Sequence, residues 1–279
     1  MTLLSVRGLS KRFGGLTAVS ELSFDIGRGQ IVGVFGPNGS GKTTLLNLIA
    51  GLLEPTAGQL VWHDREMQRE IQRDSTHERA AAGIVKTFQN PLLFSELTVH
   101  EHLMIASHLR MKRALGMRRV LGLFRRGAAE RAFDAATAAR VQTVLALCRL
   151  EPQREQLAAN LSYGAEKMLG VAMALMCDPQ LLLLDEPASG LGQAEVDNLD
   201  AVLRDLRAHG TTLCIIDHKV SFLGQLADRA IAINHGCKLA EGTPAEVLKD
   251  RSVIEAYLGV GHDSHHSHAV AAHAEAGHA

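Results

Sequence analysis

Short apolar runs separated by glycine-rich or polar turns occupy the first third of the chain. Runs of this kind predict β-strands, and they lie at residues 3–6, 22–26, 31–35, 59–62 and 84–89. Glycines at positions 14, 15, 27 and 29 mark the turns between the first three runs. Residues 44–50 instead place apolar side chains three and four positions apart, which predicts a helix soon after the third strand.

From about residue 96 to residue 175 the pattern changes to Ala-, Leu- and Arg-rich stretches with helical spacing. Strands at 181–184, 211–216 and 229–233 then alternate with helices at 193–209 and 219–226. This order predicts an α/β fold with a parallel-sheet core, an N-terminal antiparallel β region and an inserted α-helical subdomain. The predicted division is 1–92 for the β region and the first part of the core, 93–178 for the helical insertion, 179–260 for the rest of the core with C-terminal helices, and 261–279 for a disordered tail.

Composition and charge narrow the classes of partner. The formal net charge of the 279 residues is −1, so no overall attraction to nucleic acid or acidic lipid is expected. We find neither a signal-like N-terminal segment nor an apolar run of 18 residues, and we therefore expect a chain that does not cross a membrane by itself. The four cysteines are widely separated without a C-x-x-C pair, which favours reduced thiols over a metal site.

Candidate chemistry begins directly after the strand at 31–35. The pattern G-x-x-x-x-G-K-[ST] is matched in full by Gly36, Pro37, Asn38, Gly39, Ser40, Gly41, Lys42 and Thr43, and Thr44 follows. Between a strand and a helix N-terminus such a loop turns backbone N–H groups toward an anion, and the helix dipole adds to the attraction. We therefore predict a P-loop NTPase (RecA-like) core that binds a nucleoside triphosphate, in which Lys42 reaches the β- and γ-phosphates and the Thr43 hydroxyl binds Mg²⁺.

A second signal is the sequence LLLLDEP at residues 181–187. Asp185 follows four leucines of a buried strand, at the strand end where open α/β sheets bind ligands. An acid at this place can hold Mg²⁺, and Glu186 is placed to orient and deprotonate an attacking water. Together with the phosphate loop, these acids predict ATP hydrolysis.

Residues 161–165, LSYGA, open a predicted helix, and with them the chain resembles the ATP-binding-cassette (ABC) ATPases. The resemblance to their L-S-G-G-Q signature is joined by Gln89 after a strand, His218 after the strand at 211–216, and Phe13, which lies 23 positions before Gly36. It implies that Phe13 stacks on adenine, that Gln89 helps to hold Mg²⁺, and that His218 steadies the γ-phosphate. It also implies a head-to-tail dimer with two ATP molecules between the subunits.

Two residues of the signature have an independent physical rationale. Ser162 and Gly164 begin a helix, so their N–H groups and the hydroxyl form a second anion clamp, which from the helical insertion reaches a partner's γ-phosphate. Ala165 stands where the family has Gln, and Gly192 where it has Asp or Asn. These departures suggest either an asymmetric pair with one weaker nucleotide site or neutral drift.

Within the family, the chain is similar to the ATPases of branched-chain (hydrophobic) amino acid importers, through residues 11–19, 161–164, 185–191, 241–244 and 253–259. That likeness implies two transmembrane permease subunits, a second ATPase subunit (identical or a sister), an external solute-binding protein, and a peripheral position on the cytoplasmic face of the cell membrane. The alternatives are uptake of urea or amides, an exporter of the lipopolysaccharide type, and a non-transport ATPase acting on ribosomes or DNA.

Two further segments each allow more than one interpretation. Residues 110–126 contain seven Arg or Lys residues and no acid, which fits an amphipathic contact with anionic lipid headgroups, a solvated face, or less readily nucleic acid. The tail at 261–279 contains six histidines among small residues, which predicts disorder, with loose binding of transition metals as the alternative.

Overall fold

The computed structural model describes residues 1–64, 67–107 and 126–258, and in this part of the chain the strands form two sheets. The first sheet is antiparallel, in the order β2-β1-β4-β5. Its strands are β1 (Thr2–Phe13), β2 (Leu16–Gly27), β4 (Ala57–His63) and β5 (Gln68–Glu70).

The second sheet has the order β10-β9-β3-β8-β7-β6, and all its pairs are parallel except β9 with β10. Its strands are β3 (Ile31–Phe35), β6 (Ile84–Lys86), β7 (Leu181–Asp185), β8 (Thr212–Ile216), β9 (Arg229–Asn234) and β10 (Cys237–Gly242). The predicted α/β class, with an antiparallel N-terminal region and a mostly parallel core, is confirmed.

The described α-helices fall into three groups along the chain. Two precede β6, namely α1 (Lys42–Ala50) and α2 (Thr76–Ala82). Three lie between β6 and β7, namely α3 (Val99–Ala106), α4 (Arg126–Leu147) and α5 (Tyr163–Met176). Four follow β7, namely α6 (Gln193–Ala208), α7 (Val220–Leu226), α8 (Pro244–Val247) and α9 (Arg251–Leu258).

Two apolar clusters cover the two faces of the parallel sheet. Because successive side chains of a strand point to opposite faces, Val32 and Val34 of β3 pack on one side and Ile31 and Phe35 on the other. The first cluster contains α1 and the inner face of the antiparallel sheet, and the second contains residues of α3 to α9. The helices between β6 and β7 therefore share a core with the sheet, and the division into four segments stays a prediction.

Several element bounds differ from those predicted. The first two strands are each 12 residues long rather than short, since polar residues at their exposed positions hide the strand pattern. β6 ends at Lys86 and not at residue 89, because Phe88 and Gln89 leave the sheet and are exposed. The pattern also missed β5, β10 and α2. Other ends differ by one or two residues.

Two predicted segments lie outside the described residues, namely the basic stretch up to residue 125 and the His-rich tail. Within the described residues, none of the helices combines the length and the apolarity that a bilayer span requires.

Candidate functional site

The phosphate loop joins β3 to α1 at the edge of the sheet where the parallel strands end. Gly41 caps α1 with φ 101°, and a Cβ at this position would collide with the carbonyl oxygen of Ala18, so only glycine fits. No side chain caps α1, which leaves the N–H groups of its first turn for a ligand. The loop thus presents backbone donors and the positive end of a helix dipole to one place, as an anion site requires.

The side chain of Lys42, the first residue of α1, folds back against the phosphate loop. Its Nζ donates hydrogen bonds to the carbonyl oxygens of Gly36 (2.7 Å) and Pro37 (2.8 Å). Burial lowers the pKa of Lys42, while the carboxylates of Glu186 and Asp185 oppose this shift. The ammonium group is therefore attracted by both carboxylates while its hydrogen bonds hold the loop carbonyls in place.

Asp185, the last residue of β7, faces the start of α1. The Thr43 hydroxyl donates to Asp185 Oδ1 at 3.4 Å, although these two residues are 142 positions apart in the chain. The other oxygen, Oδ2, lies 3.0 Å from Lys86 Nζ. Thr43 and Asp185 were predicted to share one site, and the structure brings them together. The contact of Lys86 with Asp185 was not predicted from the sequence.

Glu186 lies at the centre of a small polar cluster. Gln89 Nε2 donates to Glu186 Oε2 at 2.8 Å, and His218 Nδ1 lies 3.8 Å from the same oxygen. Glu186 adopts φ 49°, a left-handed conformation uncommon for glutamate, and its N–H donates to the Ile216 carbonyl at the end of β8. Three chain segments therefore converge on one carboxylate.

A buried acid supports the His218 segment. Asp217 is fully buried and accepts hydrogen bonds from the N–H groups of Ala188 and Lys219, each at 2.9 Å. His218 Nδ1 lies 3.7 Å from Asp217 Oδ1. Asp217 directly follows the apolar strand β8, much as Asp185 ends β7, so an acid at the end of an apolar strand was a signal in the sequence for Asp217 as well.

The residues present fit Mg²⁺ and a triphosphate by their donor chemistry. A hydroxyl from Thr43 and a carboxylate oxygen from Asp185 face each other, and oxygen donors are what Mg²⁺ prefers. The Gln89 side chain uses its NH₂ on Glu186, which leaves the amide oxygen as a further ligand. The uncapped N-terminus of α1 fits phosphate oxygens.

The signature residues lie at the start of α5, beside the loop after β7. Ser162 caps α5 by accepting the Ala165 N–H at 3.3 Å. Gly164 packs against the Glu195 carboxylate so closely that a Cβ would collide with it, and Glu195 also accepts the Gly192 N–H at 3.0 Å. Within this chain, the signature helix and the Gly192 segment are therefore joined by one carboxylate.

A cleft of about 260 Å³ separates the signature helix from the end of β7. Ser162 and Gly164 line it together with Gln89 and Asp185. On the same helix, buried Lys167 donates to the Glu186 carbonyl oxygen at 3.3 Å. The helical insertion thus contacts the candidate catalytic acid directly, while contact of Ser162 and Gly164 with a second subunit stays a prediction.

Phe13 and Tyr257 lie at the margin of the site. Phe13 ends β1 and is 44% exposed, and Lys11 Nζ lies 5.1 Å from its ring centroid. Its stacking on adenine stays a prediction. Tyr257 of α9 accepts the Gly36 N–H at 2.9 Å, a contact across 221 residues for which the sequence carried no signal.

Comparison with known proteins places these features in a family. Residues 19–189 match the family model described as ABC transporter, and residues 237–263 match that described as branched-chain amino acid ATP-binding cassette transporter.

Two relatives and one solved structure extend over nearly the whole chain. The chain is 38% identical over 258 residues to the high-affinity branched-chain amino acid transport ATP-binding protein LivG of Salmonella typhimurium, covering 92% of this chain and 98% of that protein. The corresponding protein BraF of Pseudomonas aeruginosa is also 38% identical, over 259 residues with the same coverage. The crystal structure of a nucleotide-free ATP-binding cassette from an ABC transporter superposes with a TM-score of 0.77 at 27% identity, covering 92% of this chain and 99% of that one.

Proposed function

The chain belongs to the ABC transporter family, among the branched-chain amino acid transport ATP-binding proteins, and from this we infer that it hydrolyses ATP to drive the import of branched-chain or other hydrophobic amino acids. The observation that carries the inference is the cluster at the ends of β7 and β8, where Gln89 and His218 meet the Glu186 carboxylate beside the phosphate loop. The C-terminal match at residues 237–263 favours this importer over the exporter and the non-transport alternatives.

The backbone of the phosphate loop and of the first turn of α1 binds the triphosphate, and Lys42 adds its charge there. We assign Thr43, Gln89 and Asp185 to Mg²⁺, which when bound screens the charge that develops on the phosphate oxygens. Phe13 stacks on the adenine ring. These assignments are supported by the oxygen donors that face one another in the site and by the exposed ring of Phe13.

Glu186 acts as the general base. Its carboxylate takes a proton from the attacking water while the Gln89 amide holds the carboxylate in place. His218 orients the water and the γ-phosphate from the other side, since its ring lies within 4 Å of the same oxygen. Ser162 and Gly164 bind the γ-phosphate held by a second ATPase subunit, so that hydrolysis separates the pair.

An exposed apolar patch supports the assignment of membrane-spanning partners. Phe88, Leu92 and Phe94 follow β6, and Met104 and Ile105 end α3, with exposed fractions between 40% and 84%. An apolar patch beside a catalytic residue indicates a protein contact. We propose that two permease subunits cover it, which places the chain on the cytoplasmic face of the membrane, with a solute-binding protein on the other side.

The test uses the chain purified together with its permease subunits. Glu186→Gln is expected to lower the rate of phosphate release by about 10²- to 10⁴-fold, because the general base is lost, while a fluorescent ATP analogue still binds. Glu54→Gln, on an exposed side chain, is the matched control and keeps the wild-type rate. A Glu186→Gln complex that retains a third of the wild-type rate refutes the assignment.

The transported solute and the apolar patch are tested separately. Wild-type complex in vesicles is expected to accumulate radiolabelled leucine with ATP, and urea or an amide accumulating instead would replace the solute assignment. Leu92→Asp is expected to lose the permease subunits on purification but to bind the ATP analogue normally. Retention of the permeases by this variant contradicts the docking assignment.

A further inference from the structure

A buried ion pair links the strand before Gln89 to Asp185. Lys86 Nζ lies 3.0 Å from Asp185 Oδ2, and the two side chains are only 8% and 7% exposed. Surface ion pairs contribute little, but a charge this deeply buried is tolerated only with a well-placed partner. Neither the phosphate-loop pattern nor the pair of acids at the end of β7 includes this lysine.

The tetrapeptide from Lys86 to Gln89 contacts both adjacent acids. Lys86 at one end pairs with Asp185, and Gln89 at the other end donates to Glu186. Between them, the Thr87 N–H donates to the Leu183 carbonyl of β7 at 2.9 Å, which fixes the segment against that strand. One short segment therefore sets the orientation of both carboxylates.

The pairing divides the two oxygens of Asp185 between different partners. Oδ2 faces the ammonium of Lys86, and Oδ1 faces the hydroxyl of Thr43 at 3.4 Å. With one oxygen held, the carboxylate keeps the other turned toward the phosphate loop. The Lys86 charge also offsets part of the negative charge that a free divalent cation would meet at Asp185.

Resting on the proposed function, we propose that Lys86 is a positioning residue for Asp185. It holds one carboxylate oxygen and offsets its charge, so that a divalent cation enters the site together with a triphosphate and not before it. A free divalent cation and a metal–nucleotide complex carry opposite net charges, so removing the ammonium changes their two affinities in opposite directions. Loss of the ammonium strengthens binding of a free cation and weakens binding of an anionic metal–nucleotide complex.

The experiment measures Mn²⁺ binding to the full-length protein by electron paramagnetic resonance, with and without a non-hydrolysable ATP analogue. Lys86→Met is expected to raise the affinity for Mn²⁺ alone about tenfold and to lower that for Mn²⁺ with the analogue about tenfold. Lys86→Arg is expected to restore both values toward wild type. Lys249→Met, which removes an exposed lysine, is the control and changes neither.

Opposite changes in the two affinities support the proposal. Both affinities within twofold of wild type, or a parallel fall of both, overturn it, because a purely structural role moves them together. Lys86→Gln is measured as well, so a poorly folded Met variant still leaves a decisive comparison. If the wild-type protein binds no Mn²⁺ even with the analogue, the proposed function fails, whereas a normal wild type with an unaffected Lys86→Met refutes only the role of Lys86.

Discussion

Arg79 makes an unusual contact with the helix of the phosphate loop. It belongs to α2, is 1% exposed, and donates hydrogen bonds to the carbonyl oxygens of Leu48 and Ile49 in the last turn of α1. It also donates to the carbonyls of Gln72 (3.1 Å) and Asp74 (3.2 Å). The guanidinium thus adds donors to two carbonyls at the end of α1, one of which (Leu48) also accepts the Gly51 N–H, and it places a positive charge at the negative end of the helix dipole.

The change in the free energy of unfolding when Met replaces Arg79 follows from these contacts. Each hydrogen bond from a charged donor contributes about 1.5–3 kcal/mol, and four are lost. Burial lowers the pKa of Arg79 to about 10, and methionine removes the desolvation cost that causes this shift. Since the two effects oppose each other, we expect a net fall of about 3–5 kcal/mol in the free energy of unfolding.

The assay is urea unfolding followed by circular dichroism. Arg79→Met is expected to lower the urea midpoint with an unchanged slope, which identifies a loss of stability and not a change in the denatured state. Arg79→Lys is expected to fall between wild type and the Met variant, because an ammonium group has only three donors. Arg73→Met, on an exposed side chain in the same region, is the matched control. A loss below about 1 kcal/mol for Arg79→Met refutes this reasoning, since a single net hydrogen bond contributes that much.

Three further predictions follow from other contacts. Capping-box hydrogen bonds from backbone N–H and hydroxyl groups lower the pKa of three glutamates, Glu78, Glu101 and Glu246, below the ordinary value of 4.5. The stability that these carboxylates contribute is therefore present above pH 4.5 and is lost as the pH falls through their lowered pKa values. A triple Glu→Gln variant keeps the capping boxes and is expected to lose less stability than wild type between about pH 6 and pH 3 in thermal melts. Burial raises the pKa of Cys148 and Cys214 to about 12, so at pH 8 iodoacetamide should label exposed Cys237 but not these two until the protein unfolds; labelling of either in the native state, seen by mass spectrometry, contradicts their burial. Phe13→Ala is expected to weaken ATP binding about 5- to 100-fold in a fluorescence titration, and an unchanged affinity removes Phe13 from the adenine site.

The phosphate loop and the two acids at the end of β7 could be found in the sequence because their chemistry is local. A loop between a strand and a helix needs glycine at positions such as Gly41, and the strand of four leucines leaves Asp185 at its end whatever surrounds it. The order of apolar runs likewise predicts the parallel core, since alternating strands and helices have few ways to pack.

Other parts of the fold gave weak patterns for a physical reason. The long strands β1 and β2 carry polar residues on their exposed sides, and β10 is only partly buried, so the apolar signal is diluted. β6 is three residues long, and its end at Lys86 is set by the register of its pairing with β7 and not by the apolar run, which continues beyond it. Such boundaries depend on neighbouring strands and not on the segment itself.

The sequence by itself determined the class of fold, the nucleotide-binding loop and the identity of the two acids, because each depends on residues that are close together in the chain. Only the tertiary structure decided that Lys86 pairs with Asp185, that Tyr257 contacts Gly36, and that Arg79 completes the helix of the loop. These contacts join segments far apart in the chain, and no local pattern encodes them. They form because buried charges and backbone groups must find partners, and which partner is near is settled by how the helices and sheets pack.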